Sequence, residues 1–158
     1  MTHRAQQVLD AVAALESAES GPSGVHVFTH RRLSLDPGQD QLPAKSVDYG
    51  DLSVDMKDPD EEYFDCTLGV LVTILEMSDE ERTLRESLMS LAVQSQKAIT
   101  SVPLLNLDFV NDVIFLGWTA PEIDASGEKL VGQIVCSWQI KFRMQFEDPG
   151  ATGSVPNL

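Results

Sequence analysis

The sequence is poor in the residues that build disulfide frameworks and metal sites. Only two of its 158 residues are cysteines, Cys66 and Cys136, and they are too far apart for the short ligand spacings of a zinc site. Two cysteines do not make a disulfide framework, so we expect buried, reduced thiols and a cytoplasm-like compartment. Of the three histidines, His26 and His30 lie four residues apart on a predicted strand, about 13 Å from each other, which excludes a shared metal ion. We therefore predict no metal site.

The sequence also lacks the long apolar runs of a membrane protein and the positive charge of a nucleic-acid-binding protein. Its longest apolar run, Leu68 to Leu75, is too short to span a bilayer. Near the start, Asp10 and Glu16 interrupt the apolar positions, so no signal peptide is predicted. The 11 basic and 25 acidic residues give a formal net charge of −14, which disfavours binding to a phosphate backbone or an anionic membrane.

Catalytic motifs are missing as well. The stretch Gly21-Pro22-Ser23-Gly24 is one residue short of a nucleophile elbow. The stretch Gly127-Glu128-Lys129 lacks the upstream glycine and the Ser/Thr of a phosphate-binding loop. We therefore predict no catalytic residue, no cofactor and no enzyme activity.

What the sequence does have is a concentration of acidic residues between Asp48 and Asp65, with Lys57 as the one basic residue among them. The order of these acids does not match a calcium loop, and exposed acids do not suit a catalytic carboxylate pair. We interpret the cluster as a solvated negative face that repels DNA or pairs with a basic neighbour. Arg31 and Arg32, beside a polar loop, are candidates for that pairing between subunits. The candidate assembly residues are Arg31, Arg32, Asp36, Asp40, Asp58, Asp60, Glu61 and Glu62.

Apolar periodicity predicts two main helices and four to five strands. One helix runs from Thr2 to Ser17, and the other begins at the capping box Ser78-Asp79-Glu80-Glu81 and ends near Ala98 or Ile99. The predicted strands are Val25 to His30, Leu42 to Asp55 with a bend near Gly50, Tyr63 to Leu75, Val110 to Thr119 and Leu130 to Phe146. This order predicts one α+β domain over residues 1–146, followed by a flexible tail over residues 147–158.

The long strand from Tyr63 to Leu75 has one wholly apolar face and one mixed face. Cys66 and Cys136 both fall on apolar strand faces, and Trp118 and Trp138 are predicted to fill the core or an interface. This asymmetry predicts a mixed, mostly antiparallel sheet with both helices on one face. The other face is then left to solvent or to another subunit.

Several sequence stretches follow one another in a familiar order. A helix near the start is followed by Val25-His26-Val27-Phe28 and Leu42-Pro43-Ala44-Lys45-Ser46-Val47. Then come the strand Tyr63 to Val72, a second helix and the strand Gln133 to Ile140. In this order, and from Thr2 to Phe146, the chain resembles the tail terminator (tail completion) proteins of long-tailed bacteriophages, which are related to the minor tail protein U group.

The resemblance implies a virion protein that assembles in the host cytoplasm as a hexameric ring on the finished tail tube. Such a ring stops tube polymerisation and presents the surface that joins the head. The implied partners are further copies of the chain, the tail tube protein and the head–tail connector (stopper) protein, while DNA only passes through the lumen. The alternatives are another phage neck component, such as a head-completion or connector protein, and a small acidic ligand-binding domain or enzyme.

Our hypothesis from the sequence is that the loop from Leu33 to Gln41 and the acidic segment from Asp48 to Glu62 lie at subunit, tube or lumen surfaces. An acidic lumen wall would let DNA slide without sticking. Reversing the charge of the four acids between residues 58 and 62, or deleting the loop, is then expected to change ring assembly and tail joining.

Overall fold

A computed structural model of the chain describes residues 3–20, 26–29, 42–55 and 63–145. Within these ranges the helices are α1 Arg4–Ser20 and α2 Glu81–Thr100, and the strands are β1 His26–Thr29, β2 Ala44–Asp55, β3 Tyr63–Ser78, β4 Val110–Trp118, β5 Glu122–Asp124 and β6 Leu130–Gln145. The predicted α+β class is confirmed. The three-residue β5 was not predicted, and the predicted tail over residues 147–158 lies outside the described ranges.

The strands form one sheet in the order β1-β2-β3-β6-β4, and the short β5 also pairs with β6. β1 runs parallel to β2, and the other neighbouring pairs are antiparallel. The two strands β3 and β6, of 16 residues each, pair along their whole length and form the centre of the sheet. The sheet is therefore mixed and mostly antiparallel, as the sequence predicted.

The predicted bend in β2 is a β-bulge. Tyr49 lies opposite Val70 and Leu52 lies opposite Leu68, so Gly50 and Asp51 together face Gly69. A Cβ atom on Gly69 would lie 3.1 Å from the backbone nitrogen of Asp51, so glycine permits this close approach. An extra residue in one strand bends that strand, which confirms the predicted bend near Gly50.

Both helices pack on one face of the sheet. That face carries the apolar side chains that alternate along β3 and β6, and the core contains Cys66, Leu68, Val70, Val72, Ile74, Ile134, Cys136, Trp138, Ile140 and Phe142, all buried. Helix α2 contributes Leu84 and Leu88, which pack directly over Gly132 of β6. A Cβ atom on Gly132 would lie 2.5 Å from Leu88 Cδ1, so the absence of a side chain lets α2 approach the sheet.

The predicted capping box at the start of α2 is wrong. The N-cap residue is Glu80, which makes no side-chain capping hydrogen bond, and Ser78 is the last residue of β3, opposite Leu130 in the ladder. Pairing with β6 holds Ser78 in the strand. Its hydroxyl oxygen therefore accepts a hydrogen bond from the backbone N–H of Glu80, at 3.3 Å, and not from that of Glu81. Glu81, in the first turn of α2, instead forms an ion pair with Arg85 in the next turn, at 2.9 Å.

Candidate assembly surface

Three polar side chains meet in the core and join three elements. The Lys45 ammonium of β2 lies 3.0 Å from Glu16 Oε2 of α1, and both side chains are buried. The other carboxylate oxygen of Glu16 accepts the hydroxyl of Ser95 in α2 at 2.6 Å. A buried carboxylate keeps its charge only with such partners, so this contact fixes α1 against β2 and α2. The contact therefore helps to position β2, the strand that carries one of the two exposed sheet edges.

A second polar group lies at the opposite end of α1. The Arg4 guanidinium is buried, donates to the carbonyl oxygen of Arg143 in β6, and lies 4.6 Å from the ring centre of Phe109. The Arg143 side chain pairs with Asp65, directly opposite it in β3, at 2.9 Å. These basic groups therefore act within the fold, where they hold α1 and the loop before β4 against the sheet.

The two cysteines are free and buried, as predicted. Burial raises the pKa of the Cys66 thiol to about 11, and the Asp65 carboxylate adds to this effect. Burial, with a contribution from Glu16, raises the pKa of the Cys136 thiol to about 12. Neither thiol is ionised near neutral pH, so neither is a nucleophile in the folded protein.

The sheet face opposite the helices differs in character from the core face. It carries small and polar side chains that are partly exposed, among them Thr67 and Gly69 of β3 and Ser137 and Gln139 of β6. Toward one end of the same face Leu75 is buried. This face therefore presents small and polar side chains beside both edges of the sheet.

One exposed edge belongs to β2. β1 pairs only with Ala44–Val47, so in the described ranges no strand pairs with the outer side of β2 from Asp48 to Asp55. Leu52 and Val54 stand opposite the buried Leu68 and Cys66, yet they are 46% and 45% exposed. We call this segment, residues 48–55, the β2 edge.

The other exposed edge belongs to β4, which within the described ranges pairs with β6 alone. Register shifts interrupt that pairing before Asp112 and after Phe115, and Leu116 lies in the second of them. Leu116 is 60% exposed, and Trp118 is 37% exposed with its ring edge-on to Phe115. Gly117 has a φ of +133°, a conformation that favours glycine and shapes this bulge. We call residues 110–118 the β4 edge.

The eight candidate residues from the sequence all lie outside the described ranges: Arg31, Arg32, Asp36, Asp40, Asp58, Asp60, Glu61 and Glu62. Four other acids of the same cluster, Asp48, Asp51, Asp55 and Asp65, are described, and they lie on the strands β2 and β3. Asp51 and Asp55 are exposed on the β2 edge, as expected of a solvated face. Asp48 instead accepts the Ser46 hydroxyl at 2.6 Å, and Asp65 pairs with Arg143.

Sequence reasoning missed the buried pair of Glu16 and Lys45, although one signal for it exists. Glu16 follows Val8 and Val12 at four-residue intervals, so it continues the apolar stripe of α1. An acidic residue on such a stripe either reaches solvent because it lies near the end of the helix, or forms an ion pair in the core. Sequence alone does not show which strand supplies its partner.

A shallow cavity of about 310 Å³ lies beside β5, lined by Leu75, Glu122, Ile123, Asp124, Val131, Gly132 and Gln133. Hydrogen bonds from Ser126 lower the pKa of the Asp124 carboxyl. Asp124 therefore accepts a hydrogen bond within the turn that follows it, and together with Glu122 it gives the cavity an exposed acidic rim.

Comparison of the chain with protein-family models finds no match, and comparison with curated proteins finds none either. No helix in the described part of the chain is long and apolar enough to cross a membrane. The same ranges contain no group of three or more His, Cys, Asp or Glu side chains placed to hold a metal ion.

Proposed function

We propose that this protein is a structural subunit of a bacteriophage tail that caps the end of the tail tube as a hexameric ring. The ring stops tube polymerisation and provides the surface for head–tail joining. The proposal starts from the resemblance of the chain to tail terminator proteins in element order and in short sequence stretches. The observation that carries it is the pair of exposed apolar edges, the β2 edge and the β4 edge, on opposite sides of one sheet.

Two different apolar patches on opposite sides of a subunit are what a ring requires. A ring forms from head-to-tail contacts, in which one patch meets a different patch on the next copy and the rotation closes. A two-fold dimer needs only one self-complementary patch. Leu52 and Val54 on one side, and Leu116 and Trp118 on the other, supply two patches made of different residues.

The charge of the molecule suits a passage for DNA. Among the described residues, three basic side chains (Arg4, Lys45 and Arg143) are buried against one acidic side chain (Glu16), so the exposed charge is more negative than the net charge of −14 suggests. An acidic wall repels phosphate groups and keeps a sliding duplex from sticking. In the proposed ring DNA passes through without a binding site, and the lasting partners are the tube protein and the connector protein.

Tube growth in the presence of the protein tests this function. Tail tube protein is polymerised with and without an excess of the chain, and tube lengths are measured by electron microscopy. We expect shorter tubes that stop growing, with the protein recovered on sedimented tubes. Unchanged lengths, together with capture of the protein by portal-side components and not by tubes, would assign it to another part of the neck.

A further inference from the structure

The turn between α2 and β4, residues 103–106, has an unusual backbone, and we call it the left-handed turn. Leu104, Leu105 and Asn106 follow one another with φ angles of +52°, +57° and +55°. Within the described ranges no other non-glycine residue has a positive φ. In this region the Cβ atom of an L-residue comes too close to the following carbonyl oxygen, so L-residues adopt it singly and not in runs. Three in succession therefore concentrate backbone strain in one short turn.

Contacts of Leu105 hold the turn in this form. Its side chain is 4% exposed and belongs to the core. Its N–H donates to the carbonyl oxygen of Val102 at 3.3 Å, and the N–H of Leu107 donates to that of Leu104 at 3.1 Å. Burial of one leucine together with two hydrogen bonds returns a free energy of about the same size as three left-handed residues cost. The left-handed turn is therefore close to balance.

Both ends of the segment are anchored independently of the turn. Before it, the N–H of Ser101 donates to the carbonyl oxygen of Lys97 at 2.9 Å and ends α2 with ordinary helical backbone. After it, Phe109 is buried, and its carbonyl oxygen accepts the N–H of Arg143 in β6 at 3.1 Å. A change of backbone in the turn is therefore confined to residues 102–108, and α2 and the sheet stay in place.

Leu104 does not suit the stability of this turn. Its side chain is 43% exposed, so glycine at this position would remove the left-handed strain and an exposed apolar side chain at once. Burial explains the conformation of Leu105 but not that of Leu104. Strained residues persist only where the surrounding structure holds them, and they concentrate in segments that bind or change conformation.

We propose that the left-handed turn is a two-state switch built into the subunit. In the closed form, Leu105 lies in the core. In the open form, residues 104–106 relax to ordinary backbone, the two hydrogen bonds of the turn break, and Leu105 joins Leu104 at the surface. Opening releases the strain and exposes two adjacent leucines, so a ligand that binds only the open form increases its population. The switch is a property of the single subunit and does not depend on the proposed function.

Paired substitutions test whether strain sets the balance. Leu104→Gly and Leu104→Ala both remove the exposed side chain, but only glycine fits the left-handed backbone. Opening is measured by NMR as native-state hydrogen exchange of the Leu107 N–H, which is bonded only in the closed turn. We expect exchange about fivefold slower in Leu104→Gly than in Leu104→Ala, and a higher urea midpoint. The matched pair Gln94→Gly and Gln94→Ala, exposed within α2, should show the opposite order of midpoints.

A second measurement separates opening of the turn from unfolding of the domain. In the wild type, exchange of the Leu107 N–H should depend little on urea, because opening exposes little surface, while exchange of amides in β3 and β6 should depend strongly on urea. Leu105→Ala should speed the exchange of Leu107 about tenfold or more. It should lower the urea midpoint less than Leu88→Ala, a truncation beneath α2, because the relaxed turn recovers its strain.

Either of two results would overturn the switch. If Leu104→Gly exchanges as fast as Leu104→Ala and unfolds at no higher urea concentration, the turn stores no strain at this position. If exchange of the Leu107 N–H has the same urea dependence as exchange in β3 and β6, the turn opens only when the whole domain unfolds. Slower exchange in Leu104→Gly, together with a weak urea dependence in the wild type, supports a strained turn that opens by itself.

Discussion

At the scale of single residues, the fold depends on a few charged side chains placed where apolar ones would be expected. Glu16, Lys45 and Ser95 come from three elements and satisfy one another inside the core. Two exposed ion pairs on α2, Glu81–Arg85 and Arg82–Glu86, have similar distances but lie in water. Loss of one partner therefore costs more free energy of unfolding in the buried pair than in the exposed pairs, because a buried charge that loses its partner cannot be solvated.

Replacing Lys45 by Met should destabilise the protein strongly. The substitution removes the ammonium 3.0 Å from Glu16 and leaves a buried carboxylate with fewer partners. Removing one member of a buried pair costs about 3–5 kcal/mol, which equilibrium unfolding in urea would measure. Because Gln still accepts the Ser95 hydroxyl, Glu16→Gln/Lys45→Met should recover most of the loss.

The control for Lys45→Met is Arg82→Met, which breaks the exposed pair with Glu86. Exposed pairs four residues apart on a helix contribute about 0.3–0.5 kcal/mol, so this variant should stay close to the wild type. Equal losses for Lys45→Met and Arg82→Met would show that the buried pair has no special role.

The thiols should be inert in the folded protein. Because burial raises the pKa of Cys66 to about 11 and of Cys136 to about 12, a thiol reagent at pH 8 should modify neither until denaturant is added, and then both. The folded state binds these protons more tightly than the unfolded state. Their stabilising contribution is therefore complete below a pH of about 9 and is lost as the pH rises through the folded-state values. Rapid modification of one thiol in native protein would contradict the burial.

At the scale of elements, the period of the apolar residues predicted the long strands and both helices. These periods arise because each element buries one face against the core. Tyr63–Ser78 is the clearest case, with alternate residues from Cys66 to Ile74 buried. The capping box failed because a tertiary contact, the pairing of Ser78 with Leu130, outweighed the local preference for a helix start. The short β5 was missed because three residues are too few to show a period.

Packing of α2 on β6 makes Gly132 a sensitive position. In Gly132→Ala the new Cβ would lie 2.5 Å from Leu88 Cδ1 and 3.0 Å from Leu84 Cγ, so α2 must shift or its leucines must change rotamer. Overpacking of this kind costs about 1–3 kcal/mol, and thermal unfolding should show a lower Tm. Gly127→Ala is the control, because its nearest contact would be at 3.7 Å, and its Tm should match the wild type. A Tm for Gly132→Ala equal to that of Gly127→Ala would refute close packing at this site.

At the scale of the whole molecule, the sequence predicted a one-sided sheet but not its edges. Which strands lie at the border depends on strand order, and β4 follows α2 in the chain yet lies next to β6. The sequence pattern predicts Leu116 and Trp118 as core residues of a strand. Only the order of strands in the sheet shows that they lie on the exposed β4 edge. The acidic cluster was recognisable from composition, whereas the pairing of Asp65 with Arg143 required the register between β3 and β6.

Salt should promote assembly of the whole molecule. Raising the salt concentration from about 0.01 M to about 1 M shortens the Debye length from about 30 Å to about 3 Å, which screens the exposed carboxylates of Asp51 and Asp55 on the β2 edge and of Asp112 on the β4 edge. The protein concentration at half-assembly, measured by sedimentation velocity, should fall as salt rises. In Asp51→Asn/Asp55→Asn this salt dependence should be weaker. Disassembly of wild-type rings by salt would mean that attraction between charges, and not apolar packing, holds the subunits together.

The most direct test of the central claim is negative-stain electron microscopy of tail tubes incubated with the purified protein, with class averages of the tube ends. We expect a ring of about six copies capping one end of each tube, built from head-to-tail contacts. Bare tube ends, with a protein that stays monomeric or dimeric beside them, would contradict it.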